Sequence, residues 1–459
     1  MSNIIKQSVR QQIFSFKKTV MQLSHLPFSD ILPSKCLQQI IDSSPRKRNR
    51  IFTPLVTLKA FISQALSADG SCREAVSQVF AERVTQGEKA NSINTSSYCK
   101  ARNDLPLEPL IQAVKKTGKT LHHQAHCSWR WKGHNTLIVD GTTVLMADTE
   151  NNQQEFPQQS NQKAGLGFPI ARIVGLISLS TGAVVSYAKG PYQGKGSGET
   201  SLLSALFDDI AANNILLADR YYCTWAIIAL LMKQNSHILV QNHAQRKPNF
   251  SEGKKLGAKD HIVNWKKPKK QPVWMNDDDY RALPEEIYIR EFSLGGMVYV
   301  TTLLDGKKYH KKELAKLYKE RWSIELDFRS IKTNMGMEML RCKSPNMVRK
   351  EIAIRFLSYN LIRANIARSA VIMKKIPRQI SFMTAVQLFN EIKLQLALFS
   401  GDILKYIIKV TLESMASIAI GRQKRKNQPR AIKRRSKAYP LLTIPRGEAC
   451  KAINRGIFA

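Results

Sequence analysis

The chain has 459 residues, 43% of them hydrophobic, enough to bury a substantial core in two or three domains and to exclude a disordered polymer. Seventy-one Lys and Arg against 35 Asp and Glu give a formal charge of +36, pointing to a polyanionic partner, with nucleic acid ahead of an anionic membrane surface. An apolar run long enough to span a membrane, a signal-like segment and a Cys-x2-Cys pair are all lacking, so the expectation is a soluble, cytoplasmic chain with reduced thiols, without zinc ribbon or disulfide framework.

Residues 1–130 read as a mainly helical N-terminal region. A helical run over 55–68 follows Thr53-Pro54, a cap and first-turn pair; another covers 73–84, and Asn94-Thr95-Ser96-Ser97 starts a third through Arg102. Short helices of this kind suit DNA contact and equally suit an ordinary bundle. From Thr136 the period changes. Residues 136–140 read as a short buried strand ending in an acid, and 170–179 with 183–189 as a hairpin across Ser180-Thr181-Gly182. A helix over 199–211, a buried strand over 215–218 ending at Asp219, a helix over 225–233 and a strand over 237–241 follow. That order predicts an α/β fold, a mixed sheet flanked by helices.

Residues 243–306 interrupt the alternation and read as a β-rich insertion, with strands over 287–291 and 297–303 around Gly295-Gly296. Two parts, 131–242 and 307–375, then make one core, and 376–459 forms a helical C-terminal region. Its helices are expected over 348–373, 385–399 and 404–420. Residues 423–437 form a basic tail suited to phosphate contact without sequence readout.

Between the insertion and these helices stand Tyr318, Arg321, Glu325 and Lys332. At about 100° per residue they fall within roughly 60° of one another on a helix. One face then carries a carboxylate, two cations and a phenol, while Leu317, Ile324, Phe328, Ile331 and Met335 line an adjoining apolar stripe. A surface helix with i,i+4 ion pairs is the plainer alternative, and it leaves Tyr318 unexplained.

Asp140 and Asp219 each end a buried apolar strand, where a carboxylate costs desolvation energy unless a positive group lies beside it. Either alone suits a cap or turn. With Glu325 they supply three carboxylates from separated elements, the donor set for two divalent cations, naturally magnesium. Two such ions, about 3.5–4 Å apart, serve phosphodiester chemistry. Arg321 and Lys332 would then hold DNA phosphates, and Tyr318 would donate to a phosphate oxygen.

The spacing Tyr318-x2-Arg321-x3-Glu325-x6-Lys332 resembles the Tyr-Arg-Glu-Lys motif of bacterial insertion-sequence transposases of the IS-four group. Asp140-Gly141-Thr142-Thr143 and Asp219-Arg220-Tyr221-Tyr222 look like that family's first and second acid motifs, and the likeness extends through Tyr359-Asn360-Leu361-Ile362-Arg363. The resemblance implies a ribonuclease-H-like core with Asp140, Asp219 and Glu325 as a metal-binding triad for Mg2+, with Mn2+ able to substitute. It implies Tyr318, Arg321 and Lys332 at the DNA, and a homodimer in a synaptic complex that cleaves transposon ends and joins their 3′ ends to target double-stranded DNA. The setting would be the nucleoid of a bacterium. Some relatives stack an extruded base on a tryptophan in the insertion, which makes Trp265 and Trp274 candidates beside the plainer reading of each as a core residue. A structure-specific nuclease without strand transfer and a catalytically silent DNA-binding regulator are the alternatives.

Two further signals are weaker. Gly194-Lys195-Gly196-Ser197-Gly198 fails the phosphate-loop pattern and is expected to connect to a helix. His122, His123, His126 and Cys127 crowd one segment without a complementary ligand pair, which favours a partly exposed helical end over zinc.

Overall fold

The computed structural model describes residues 32 and 34–456, except 46–50, 86, 91, 195, 400 and 418–441. The basic tail expected over 423–437 lies outside the described residues.

Five helices come first: α1 (Ser34–Asp42), α2 (Pro54–Leu66), α3 (Cys72–Thr85), α4 (Ser96–Asp104) and α5 (Leu107–His123). The Val56 amide donates to Thr53 Oγ1, and Pro54 occupies the first turn, so α2 starts where its sequence says. The longest of the five, α5, buries Leu110, Ala113, Val114, Thr117, Gly118 and Leu121 along one face.

Next come β1 (Thr136–Met146), α6 (Glu150–Glu155), β2 (Ile170–Ser178), β3 (Val184–Pro191), α7 (Glu199–Ser204), β4 (Ile215–Ala218), α8 (Trp225–Lys233) and β5 (His237–Gln241). The segment over 243–306 adds β6 (Lys254–Gly257), β7 (Asp260–Lys266), α9 (Asp277–Arg281), β8 (Glu286–Leu294) and β9 (Met297–Thr301). All nine strands share one sheet in the order β3-β2-β1-β4-β5-β9-β8-β7-β6. Strands β1, β4 and β5 run parallel, β2 and β3 form an antiparallel hairpin beside β1, and β9 pairs antiparallel with β5. The strands over 243–306 therefore extend the same sheet.

The chain continues through α10 (Lys311–Lys319), α11 (Ser323–Arg329), β10 (Met339–Leu340), α12 (Pro345–Ile372), α13 (Phe382–Leu398), α14 (Gly401–Ser417) and α15 (Arg446–Asn454). Helix α12 is almost wholly buried and packs on α5, whose Gly118 lies against β3. A Cβ at 118 would stand 1.9 Å from the Val184 carbonyl oxygen, so only glycine permits this approach. Asn360 of α12 satisfies the same strand, accepting from the Val184 amide at 2.8 Å and donating to its carbonyl at 2.9 Å. Among the described residues, no helix is long and apolar enough to cross a membrane, and all seven cysteines are free thiols.

Four expectations are revised. The strand expected to end at Asp140 runs on to Met146 against β2, so Asp140 lies within β1. The helix expected over 199–211 stops at Ser204 and gives way to a short 3₁₀ turn at Phe207–Asp209. Residues 249–274, rich in Lys, Gly and Pro, yield two strands, β6 and β7, paired as a tight hairpin across Ala258 and Lys259, with β7 pairing on to β8. The continuous helix through Tyr318 and Met335 is segmented: α10 passes through a 3₁₀ turn at Glu320–Trp322 into α11, and Ser330–Asn334 is a π-turn. Each change of helix type alters the rotation per residue, so the shared face expected from uniform helical spacing is redistributed. The apolar stripe survives, with Leu317, Ile324, Phe328, Ile331 and Met335 all buried.

Candidate active site

Sheet register builds the site. Thr136, Leu137 and Ile138 of β1 pair with Ile215, Leu216 and Leu217 of β4. Two residues beyond the last pair stand Asp140 on β1 and Asp219 just after β4, so the parallel register carries the two acids forward side by side. Strand β4 ends at Ala218 while β1 continues against β2, so both acids stand at the carboxyl end of β4, the usual side for a ligand in an open α/β sheet.

Local hydrogen bonds orient both acids. Asp140 Oδ1 accepts from the Gly141 amide at 2.8 Å. Asp219 caps a 3₁₀ turn, Arg220–Tyr222, and its Oδ1 accepts from the Tyr221 amide at 2.8 Å. Arg321 reaches Asp140 from the turn after α10, with Nη1 3.5 Å from Oδ2. Its guanidinium is buried, and Nε has no hydrogen-bond partner among the described residues.

Burial pushes the Asp140 carboxyl up to about 6; the Gly141 amide and Arg321 oppose this, while the negative charges of Asp219 and Glu199 add to it. The Tyr318 phenol is also raised, chiefly by burial and partly offset by Arg321. Its ring meets Tyr299 of β9 edge-on at 5.3 Å between centroids. Asp140, Asp219, Tyr318 and Arg321 are thus brought together. Glu325 is exposed on α11 without a side-chain hydrogen bond or ion pair among the described residues, and Lys332 is half-buried on the π-turn. Among the described residues, no group of three or more His, Cys, Asp or Glu side chains is already set as a cation cage.

Sequence reasoning missed two groups. Glu199, the first residue of α7, accepts from the Tyr222 hydroxyl at 3.2 Å and influences Asp140. Its only sequence signal is its place after the glycine-rich connection. Asp327, fully buried on α11, accepts from Tyr359 at 2.9 Å, Arg363 at 2.7 Å and Arg378 at 2.6 Å. A charged residue amid apolar helix positions was the available clue.

The tryptophan candidates divide. Trp265 is buried, donates to Glu291 Oε1 at 2.9 Å and lies 3.5 Å beneath the guanidinium of the exposed Arg246. Trp274 is half-buried and stacked on Phe207. His122 is buried between Ser178 and Asn214, a structural tie between α5 and the sheet.

The family profile described as "Transposase DDE domain" matches residues 131–361, half of the chain. The transposase InsG for insertion sequence element IS4 of Escherichia coli is 25% identical over 353 residues, covering 75% of this chain and 78% of that protein. A putative transposase for insertion sequence element IS4SA of Synechocystis is 23% identical over 205 residues, covering 43% of this chain and 54% of its own. The matched segment runs from β1 to α12 and contains both aspartates and the segmented helix. This chain therefore belongs to the DDE transposase family, in the IS4 group, and is a DNA transposase.

Proposed function

We propose that Asp140, Asp219 and Glu325 hold two divalent cations, magnesium with manganese able to substitute, in a ribonuclease-H-like core that cuts transposon ends and joins the 3′ ends to target DNA. The observation that carries this reading is the β1–β4 register that sets Asp140 beside Asp219. The strand order, with a β3-β2-β1 antiparallel unit followed by parallel β4 and β5, supports the ribonuclease-H-like topology.

The residues fit a hard cation. Carboxylate oxygens are the donors such ions take, and the buried Arg321 Nε, an N–H donor without a partner among the described residues, is left for a phosphate oxygen. When bound, the cations supply Lewis-acid activation of the attacking oxygen and countercharge for the leaving oxygen. Arg321 grips a DNA phosphate with the donors that Asp140 leaves free, Lys332 adds a point charge, and Tyr318 donates from its hydroxyl. Glu325, unpartnered and exposed, turns toward the aspartates when DNA is engaged.

Helices in 1–130 bind DNA, the segment over 243–306 borders the cut, and two copies of the chain act as a synaptic homodimer on the two transposon ends. Incubating the protein with labelled terminal repeats, a supercoiled target and Mg2+ tests the reading. Joined products are expected; cleavage without joining under synaptic conditions identifies a nuclease instead. Asp140→Asn and Glu325→Gln are each expected to abolish cleavage while leaving end binding in EDTA largely intact. Cleavage undiminished in both variants overturns the assignment.

A further inference from the structure

We propose that the cleft between the N-terminal helices and the start of α12 holds a backbone phosphate of the DNA, with Arg102, Arg341 and Lys343 as its cationic wall; the inference rests on the reading that helices in 1–130 bind DNA. The cleft has a volume of about 550 Å3 and lies where two parts of the chain far apart in sequence meet. Gln64 of α2 and Arg102 of α4 stand on one side, and Arg341, Lys343 and Ser344, between β10 and α12, on the other. Arg341 spans the rim, donating from Nη1 to the Asp69 carbonyl at 2.8 Å.

Arg102 is the observation that points to an anion. Only 9% of it is exposed; its guanidinium lies 4.8 Å from the Phe61 ring centre and 5.1 Å from that of Tyr98, and Nη1 donates to Gln64 Oε1 at 3.1 Å. Nε has no hydrogen-bond partner, and no carboxylate pairs with the group among the described residues. The ionisable groups around it are the thiols of Cys72, Cys99 and Cys342 and the Tyr98 phenol. Burial raises Cys72, Cys342 and Tyr98, so these three stay uncharged at neutral pH and offer no countercharge. A guanidinium cannot shed its proton, and a buried one is costly until an anion stands opposite it.

The opposite wall carries charge of the same sign. Arg341 and Lys343 are exposed at the rim, so the ligand can remain part of a long polyanion. Beside them begins α12, 28 residues long, whose N-cap Ser344 makes no side-chain capping bond. Ser344 and Met347 both line the cleft, so the uncapped first turn turns the positive end of the helix toward it. The carboxylate in the lining, Glu351, is already committed, accepting from the Arg341 amide at 3.1 Å and the Cys342 amide at 3.2 Å and pairing with Arg355 at 3.0 Å. Net positive charge with N–H donors on two sides selects a phosphoryl group. Strand β10, just before Arg341, pairs with Leu145 and Met146 of β1, the strand that carries Asp140. A phosphate held here therefore ties the DNA-binding helices to the catalytic strand.

Native cysteines report on the cleft, because Cys72 and Cys99 are half-buried in its wall. The full-length protein is alkylated with iodoacetamide alone, with inorganic phosphate, and with saturating duplex DNA carrying a terminal repeat, and each cysteine is read by mass spectrometry. DNA is expected to protect Cys72 and Cys99. The double variant Arg341→Ala, Lys343→Ala is expected to lose that protection while still binding DNA, with a log–log salt slope smaller by up to about two. Arg102→Gln is expected to weaken DNA binding about tenfold or more, the worth of one charge-assisted hydrogen bond. DNA that binds without protecting either cysteine, or that protects them equally in the double variant, overturns the proposal and leaves DNA binding by the N-terminal helices standing. Unchanged affinity in Arg102→Gln also overturns it; should that variant not fold, the double variant decides. Protection by inorganic phosphate and not by DNA makes the cleft a free-anion site and rejects the DNA phosphate. A wild-type protein that binds no DNA overturns both the proposal and the reading beneath it.

Discussion

Arg321 Nη1 lies 3.5 Å from Asp140 Oδ2, the ion pair by which the motif after α10 meets the first acid of β1. The pair is close enough to offset part of the desolvation that raises Asp140, and too long to use the guanidinium fully. Arg321→Ala is expected to lower end cleavage by roughly 10- to 100-fold, the loss of one or two charge-assisted hydrogen bonds. Arg321→Lys should restore little, because a point charge does not reproduce the planar fork. Single-turnover cleavage of a labelled end checks both, and full activity in the lysine variant would reject the bidentate role.

Asp327 anchors the helix that carries Glu325. Its carboxylate is buried against Arg363 and Arg378 and takes the Tyr359 hydroxyl, tying α11 to α12. Asp327→Ala would leave two guanidinium groups without their shared counterion, at a cost of about 3–5 kcal/mol. Urea unfolding measures it; a loss below about 1 kcal/mol would show that the network relaxes around the deletion.

Acid should destabilise the fold through His122. Burial pushes its imidazole down to about 3, below the unfolded value near 6.5. Between those values the unfolded chain binds the proton and the folded chain does not. The stability contribution is therefore complete above about pH 6.5 and lost as pH falls toward 3, on the order of 4 kcal/mol over the window. His122→Gln should flatten that part of the stability–pH curve. An unchanged slope would remove His122 from the account.

The formal charge of +36 predicts a steep salt dependence of nonspecific DNA affinity, with log–log slope about −0.9 for each phosphate neutralised. Lys332→Ala should shift that slope by about one at most while lowering strand transfer more strongly. Filter-binding isotherms across a salt series, run beside joining assays, separate general attraction from engagement of the cut end. Unchanged strand transfer in the variant would remove Lys332 from the site.

Much of the site was legible in particular residues. The apolar runs before Asp140 and Asp219 identify buried strands, and Thr53-Pro54 marks the start of α2, because periodicity and capping are local properties. The spacing of Tyr318, Arg321, Glu325 and Lys332 located the motif and overstated its regularity. The 3₁₀ and π turns that bury Arg321 and expose Glu325 depend on packing that spacing does not encode. Strands β6 and β7 escaped notice although they form a local hairpin, because β6 (Lys254–Gly257) is short and mostly exposed and shows no apolar alternation. Glu199 escaped because its meaning comes from Gly141 and Tyr222, distant in sequence and adjacent in space.

Anomalous diffraction from crystals of the protein bound to a cleaved transposon end in Mn2+ puts the catalytic assignment to its most direct test. The account predicts manganese peaks about 2.0–2.2 Å from carboxylate oxygens of Asp140 and Asp219, with Glu325 turned in to complete the shell. Manganese bound elsewhere, or Glu325 still facing solvent with DNA engaged, would contradict it.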